Sequence, residues 1–334
     1  MGRVTRRVRR AAWVVCALVA ILVPLVTPNP YYLQVLTLAC IWAIGVYGLN
    51  VVLGFTGQLS LGHAGFFGIG AYTVALLTLR LGVSFWLALL VAAVLTLVAG
   101  YLVGWVCLRT KGHYFAIFTM AVGVILNLVI DKWDGLTNGQ VGLVNIPDPN
   151  PIGPLTFDSA ASKYYLVLVF LAGAVYASWA ILRSPVGRAM TAVRQSEDLA
   201  AAVGVPVMRT KRLAFVLSTV FAGVAGGLFA GYLGYLGPDV TGVDITFDML
   251  LYLLVGGIGT VPGPLVGSLL VGALTQWLQA FQQYQMLIFG PLLVILIRFF
   301  PGGLAGLPGA ILARRGRRVR VAGPAPTEAL RKEA

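Results

Sequence analysis

Side chains able to do chemistry are sparse in this chain. The densest group lies in Gly54-Phe55-Thr56-Gly57-Gln58-Leu59-Ser60-Leu61-Gly62-His63-Ala64-Gly65. Gln58, Ser60 and His63 bring hydrogen-bonding groups among glycines that loosen a helix. Irregular backbone at membrane depth is viable only where it is buried in protein or lines a wet cavity. Two uses fit. These three side chains can line the path of a polar solute, or they can bond the loosened backbone and lock the packing. For His63 the packing use is preferred, because a buried polar group needs a partner in any case. Asn50 and Asn127, near the ends of apolar runs, offer the same choice between lining a path and capping a neighbouring helix.

A second group lies in residues 183–212, which hold six basic and two acidic side chains. Ser184 suits an N-cap and Pro185 the first helical position. Ala189, Met190, Val193, Ala200 and Val203 recur at helical spacing, and Gly204 followed by Pro206 reads as a stop. The pattern predicts one helix of roughly five turns lying outside the bilayer. Arg188, Arg194, Glu197 and Asp198 are its polar handles. It either rests on anionic lipid or docks against a soluble partner.

Other chemistries are missing. A phosphate-binding loop needs Lys followed by Ser or Thr. The five lysines are followed by Gly112, Trp133, Tyr164, Arg212 and Glu333. If the chain takes part in active transport, the energy comes from another protein. No zinc-ligand spacing, nucleophile elbow or paired carboxylates stand out, so no catalytic residue and no metal are expected. Cys16, Cys40 and Cys107 sit in or beside apolar runs and read as small packing residues. No carboxylate is placed in the middle of a span, which lowers the odds of an ion-coupled carrier.

The elements that must hold these groups follow from composition. Of 334 residues, 59% are apolar and 10% charged, against about 25% charged in a typical soluble domain. That excludes an ordinary soluble enzyme and a disordered chain, and leaves an all-α polytopic membrane protein. The net charge of +13 does not point to nucleic acid. Its arginines cluster at Arg3–Arg10 and Arg314–Arg320, flanking the apolar spans as cytoplasmic anchors do. The basic start and apolar run 11–26 resemble a signal peptide, but a turn rather than a cleavage site follows, so a retained first span is expected.

Spans are predicted at 11–27, 33–53, 59–79, 84–106, 114–130, 164–182 and 213–233. Residues 249–281 are too long for one crossing and are broken at Gly256-Gly257-Ile258-Gly259-Thr260-Val261-Pro262-Gly263-Pro264, which makes two short legs; 286–300 is the last span. About ten crossings put both basic termini in the cytoplasm. Residues 131–163 then form an external loop, irregular around Pro147-Asp148-Pro149-Asn150-Pro151, and 183–212 face the cytoplasm. Residues 236–248, with three acids and no base, are placed outside. Five spans on each side of the external loop suit two inverted five-helix repeats, each with a glycine-rich interruption. Residues 1–312 form one transmembrane domain. Residues 313–334 read as a basic, disordered cytoplasmic tail.

The stretch Gly48-Leu49-Asn50-Val51-Val52-Leu53-Gly54-Phe55-Thr56-Gly57-Gln58-Leu59-Ser60-Leu61-Gly62-His63-Ala64 resembles the signature of LivM-type permease subunits of branched-chain amino-acid ABC importers. Gly68-Ile69-Gly70-Ala71-Tyr72, Gly187-Arg188-Ala189, Tyr232-Leu233-Gly234 and Gly256-Gly257-Ile258-Gly259 continue it, and the pattern runs from about residue 29 to 303. The resemblance implies a type II ABC importer-like fold in a bacterial cytoplasmic membrane. It also implies a second, similar permease, two cytoplasmic subunits that bind ATP and Mg, and an extracytoplasmic substrate-binding protein. It makes 184–204 a coupling region for the ATPase. The family's Glu-Ala-Ala, three residues, Gly pattern is only approximate: Asp198 and Leu199 stand where Glu and Ala are usual, with Gly204 at the end. The implied cargo is leucine, isoleucine or valine. Urea or short amides carried by the same type of machine are the alternative, and a stand-alone channel or carrier is a more distant one.

Overall fold

The computed structural model describes residues 18–24, 29–110, 112–154, 156–278 and 303–304. Among these, six helices are long and apolar enough to cross a membrane. We number α1 Pro30–Leu49, α2 His63–Leu81, α3 Phe85–Cys107, α4 His113–Lys132, α5 Ala160–Arg183, α6 Pro185–Gln195, α7 Glu197–Ala202, α8 Val207–Leu233, α9 Val243–Gly256 and α10 Gly263–Leu278. All the spans among them except α9 and α10 match an expected crossing closely. The expected spans 11–27, described only at its helical 18–24 part, and 286–300 fall mainly or wholly outside the described residues, as does the tail 313–334.

Helix α8 is the axis of the bundle, with α1, α2 and α3 packed around it. Its glycines make this possible. A methyl group at Gly226 would collide with the Phe67 carbonyl, one at Gly223 with Thr96, and one at Gly231 with the Phe85 ring. Small residues let helices approach closely where no hydrophobic drive separates protein from lipid. The outward faces of α3, α4 and α5 carry Leu90, Ile117 and Val169, each more than 60% exposed. Large apolar side chains in that position suit a lipid-facing surface. The chain is therefore a multi-pass membrane protein.

The far end of the bundle is tied down rather than loose. Strand β1 (Leu143–Val144) pairs antiparallel with β2 (Tyr235–Leu236). Arg80 donates to the carbonyls of Gly135 (2.9 Å) and Leu136 (2.7 Å). Asn150 accepts from the Phe85 N–H at 2.7 Å, capping α3, and its carbonyl accepts from Trp86 Nε1 at 3.0 Å. Residues 145–151 carry no helix or strand, as the proline-rich pattern predicts.

Four expectations are corrected. The span expected at 59–79 begins at His63, because residues 57–62 are not helical. Helix α8 starts at Val207, six residues before the expected 213, and so takes Arg209, Lys211 and Arg212 into the helix. The single helix expected over 184–204 is two. Ser196 is extended (φ −163°, ψ 122°) and its hydroxyl accepts from the Leu199 N–H at 3.3 Å, starting α7 afresh with Glu197 and Asp198 in the first turn, where acids suit the helix dipole.

The fourth concerns residues 236–248, expected as a loop outside. They form a 3₁₀ turn, Pro238–Thr241, and then enter α9. Thr241 lies against Gly68, about 13 residues or ~20 Å below the end of α2. Asp244 and Asp248 therefore sit at bundle depth, which overturns the expectation that no carboxylate does. Hydropathy misled because α9 starts part-way down, after an irregular descent.

Close glycine packing makes a direct prediction. Gly226→Ala should lower the thermal unfolding temperature of the detergent-purified chain, by an overpacking cost of about 1–3 kcal/mol. Gly173→Ala, with nothing within 4 Å of its added methyl, should leave it unchanged or raise it.

Candidate functional site

Helix α1 does not stop at Leu49. It widens into a π-type turn, Asn50–Phe55, and the chain then reverses. Gly57 allows this with φ +76°, and the N–H groups of Gly57 and Gln58 return to the carbonyls of Leu53 and Val52, both at 3.0 Å. A second break lies between α9 and α10. Gly257 (φ 121°) and Gly259 (φ 76°) turn the chain there. The Thr260 hydroxyl donates to the Gly257 carbonyl (2.9 Å) and accepts from the Gly263 N–H (3.1 Å), starting α10.

The two breaks are stitched together. Asn50 is fully buried. Its Nδ2 donates to the Thr260 carbonyl at 2.9 Å and its Oδ1 accepts from the Gly259 N–H at 2.8 Å. Tyr47 adds a bond from its hydroxyl to the Val261 carbonyl at 2.7 Å. A methyl group at Gly54 would stand 2.7 Å from the Gly259 nitrogen, so the close approach itself demands glycine. Gly303 packs on Gly256 and Gly257 from the chain's later part.

The two-helix lever, α6 and α7, closes over this junction. Ser184 caps α6, accepting from the Gly187 N–H at 3.1 Å, with Pro185 in the first turn. At the other end of α6, Arg194 Nη1 donates to the Gly54 carbonyl. Its aliphatic stem covers Gly57, and its guanidinium faces Gly259. Gln58 Nε2 donates to Glu197 Oε1 at 3.4 Å. Glu197 is also ion-paired with Lys211 on α8, whose side chain is 1% exposed.

Of the residues singled out by sequence, the junction thus unites Asn50, Gln58, Arg194 and Glu197. The others lie elsewhere. His63 is buried, with Nε2 3.0 Å from the Gly45 carbonyl and Nδ1 3.4 Å from the Ser218 hydroxyl. Ser60 is buried and its hydroxyl has no partner among the described residues. The loosened backbone near them is bonded from other helices: Leu61 N–H donates to Thr119 Oγ1 and Ala64 N–H to Thr246 Oγ1, each at 3.0 Å. Asn127 serves the 3₁₀ turn far from the junction. Arg188 and Asp198 are exposed. Gly204, also exposed, ends the lever with φ +84°.

Lys211, Tyr47 and Thr260 are junction residues that sequence reasoning passed over. Lys211 looked like one more loop base, because the start of α8 was set too late. No local signal pairs it with Glu197. Among the described residues no three His, Cys, Asp or Glu side chains converge as metal ligands would. One side chain, Arg194, thus touches both breaks: it bonds the Gly54 carbonyl and faces Gly259.

The Glu197–Lys211 pair carries a testable cost. Removing one partner of a buried pair strands the other charge, at about 3 kcal/mol or more, whereas replacing both by apolar groups is often neutral. Glu197→Gln should therefore lower the thermal unfolding temperature more than the double variant Glu197→Gln/Lys211→Met does.

Known proteins share this sequence. The family described as the permease component of branched-chain amino acid transport systems matches residues 31–297. The high-affinity branched-chain amino acid transport system permease protein LivM of Escherichia coli K12 is 33% identical over 293 residues, covering 81% of this chain and 69% of that protein. The corresponding LivH protein of Salmonella typhimurium is 23% identical over 303 residues, covering 83% and 96%. A probable LivM of Methanocaldococcus jannaschii is 23% identical over 65% of this chain and 68% of its own length. No solved structure matches. With a family match over most of its length and a curated relative at this identity, the chain belongs to the permease components of branched-chain amino acid transport systems.

Proposed function

We propose that this chain is a membrane-spanning permease subunit of an ATP-driven importer for leucine, isoleucine and valine. The names of its relatives, branched-chain amino acid permeases, support that cargo over urea or short amides. In this reading the chain crosses a bacterial cytoplasmic membrane ten times as two inverted five-helix repeats, with both termini and the α6–α7 lever in the cytoplasm. It pairs with a second permease, of which LivH beside LivM is the suggestive case. An extracytoplasmic binding protein delivers the amino acid. Two cytoplasmic subunits bind ATP and Mg and hydrolyse the ATP; this chain holds no cofactor and is not itself an enzyme.

The observation that carries the reading is the seat of Arg194. One side chain at the lever's end bonds Gly54 in the first break and faces Gly259 in the second. When ATP draws the ATPases together, they pull the lever, and Arg194 passes that displacement to both breaks. Arg188, Asp198 and Gly204 lie on the lever's open side, where a docked ATPase reaches them. The carboxylates Asp244 and Asp248 at bundle depth remove one argument against a self-powered carrier, so reconstitution must decide between the two.

The test uses the complete transporter in proteoliposomes. Arg194→Ala should insert normally yet lose binding-protein-dependent leucine uptake by about tenfold or more, the weight of one charge-assisted bond. Undiminished uptake in that variant, or leucine uptake by the purified chain without ATPase subunits, would sink the proposal.

A further inference from the structure

The lever's end of the bundle carries guanidinium groups that the junction does not use. Arg183 closes α5, and its guanidinium lies 4.6 Å from the centre of the Trp179 ring. Arg109, just past α3, lies 4.5 Å from the Trp105 ring. Arg212, near the start of α8, lies 5.5 Å from the ring of Tyr101 on α3. Each is a cation held over an aromatic face.

Two of the three share one seam. Tyr101, Trp105 and Arg109 follow one another at intervals of four residues, so they form one stripe along the last turns of α3. The two rings are one turn apart, about 6 Å along the helix. Helix α8 runs antiparallel beside them: a methyl group at Gly100 would strike Thr219, and one at Gly104 would stand 3.0 Å from Phe215. Arg212, one turn before Phe215, therefore comes level with the end of α3 and reaches across to Tyr101.

Neither guanidinium of the seam has a partner of opposite charge. Helices α3 and α8 contain no Asp or Glu, and the ion pairs among the described residues lie elsewhere. Arg212 Nε is sealed from solvent and donates to nothing among the described residues. A buried donor left unbonded is costly, and a ligand that accepts from it removes that cost. The surroundings say which ligand reaches it. Tyr101 and Trp105 are 48% and 49% exposed, beside Val98, Leu102 and Val106, which are exposed as well. That is a lipid-facing surface ending in amphipathic rings, the level at which headgroups lie.

We propose that Arg109 and Arg212, seated on Trp105 and Tyr101, form a site for the headgroup of an anionic phospholipid at the α3–α8 seam. A stacked guanidinium keeps its edge N–H groups free, and these match phosphate oxygens in pairs. The rings beneath lie against the glycerol and the first acyl carbons. A headgroup without a cation of its own leaves the phosphate charge to the arginines, so phosphatidylglycerol binds better than phosphatidylcholine. Arg212 adjoins Lys211, which anchors the lever through Glu197. The lipid sits beside the lever's fixed point, whatever the cargo.

The full chain is reconstituted in phosphatidylcholine vesicles that contain rising fractions of dibrominated phosphatidylglycerol or, in parallel, dibrominated phosphatidylcholine. Bromine quenches nearby tryptophan, and the share due to Trp105 is the difference from Trp105→Phe. Trp105 should prefer the anionic lipid, and Arg109→Gln and Arg212→Gln should each lower that preference about fivefold. If Arg212→Gln is misfolded by thermal unfolding, Arg109→Gln decides. Equal quenching by the two lipids, no quenching of Trp105, or an unchanged preference in the variants overturns the site. So does loss of the preference on adding inorganic phosphate at constant ionic strength, which would assign the arginines to a soluble anion. In the complete transporter the preference should persist; if the partner subunits abolish Trp105 quenching, the seam is a protein interface and the lipid site is wrong.

Discussion

A helix broken inside a bilayer frees backbone groups that lipid cannot bond. Everything at the junction follows from meeting that demand twice in one place. The first break leaves the Gly54 carbonyl, and the second leaves the Gly259 N–H and the Thr260 carbonyl. The Asn50 amide spends a donor and its oxygen on the second break. That leaves Gly54, which takes Arg194 from the lever. The lever is thus part of the solution to a backbone problem, not an appendage.

Density makes the connection stiff. A methyl group at Gly54 would collide with Asn50 and the Gly259 backbone, and one at Gly259 with the Arg194 guanidinium. Packed interiors transmit displacement instead of absorbing it. The lever is also pinned at a second point, where Glu197 meets Lys211 on α8. Since α8 is the axis around which α1, α2 and α3 pack, this fixes one end of the lever to the core. Arg194, just before the Ser196 bend, bears on the breaks. A short arm with one fixed point and one working point is a pivot, and the extended backbone of Ser196 lies between the two.

How much of this could be read from the residues depended on range. The six long spans were legible, because 20-odd apolar residues have one stable use in a membrane. So were both glycine breaks, since Gly57, Gly257 and Gly259 adopt backbone that other residues resist. The Ser196 break was legible in principle: Ser-Glu-Asp is a helix start, but the apolar spacing ran through it and was given more weight. The pairings across the junction were not legible. Asn50 and Gly259 lie 209 residues apart, and Gln58 and Glu197 lie 139 apart; no local pattern links them. Asp244 was misplaced for a related reason. Hydropathy reports whether a stretch is polar, not whether an irregular descent has already carried it into the bundle.

The junction and the 3₁₀ turn are joined by one rigid element. Helix α9 begins two residues after the turn that holds Asp239 and Thr241, and it ends at Gly256 in the junction. Fourteen residues of helix make a rod of about 21 Å. Along its length the Thr246 hydroxyl accepts from Ala64, and Met249 lies over Gly45. Methionine is the most adaptable of the apolar side chains, and glycine opposite it offers a smooth track. A rod with a soft contact along its side moves along its axis more easily than it bends. Displacement of Gly259 by Arg194 would then shift the turn at the other end, and with it Asp239.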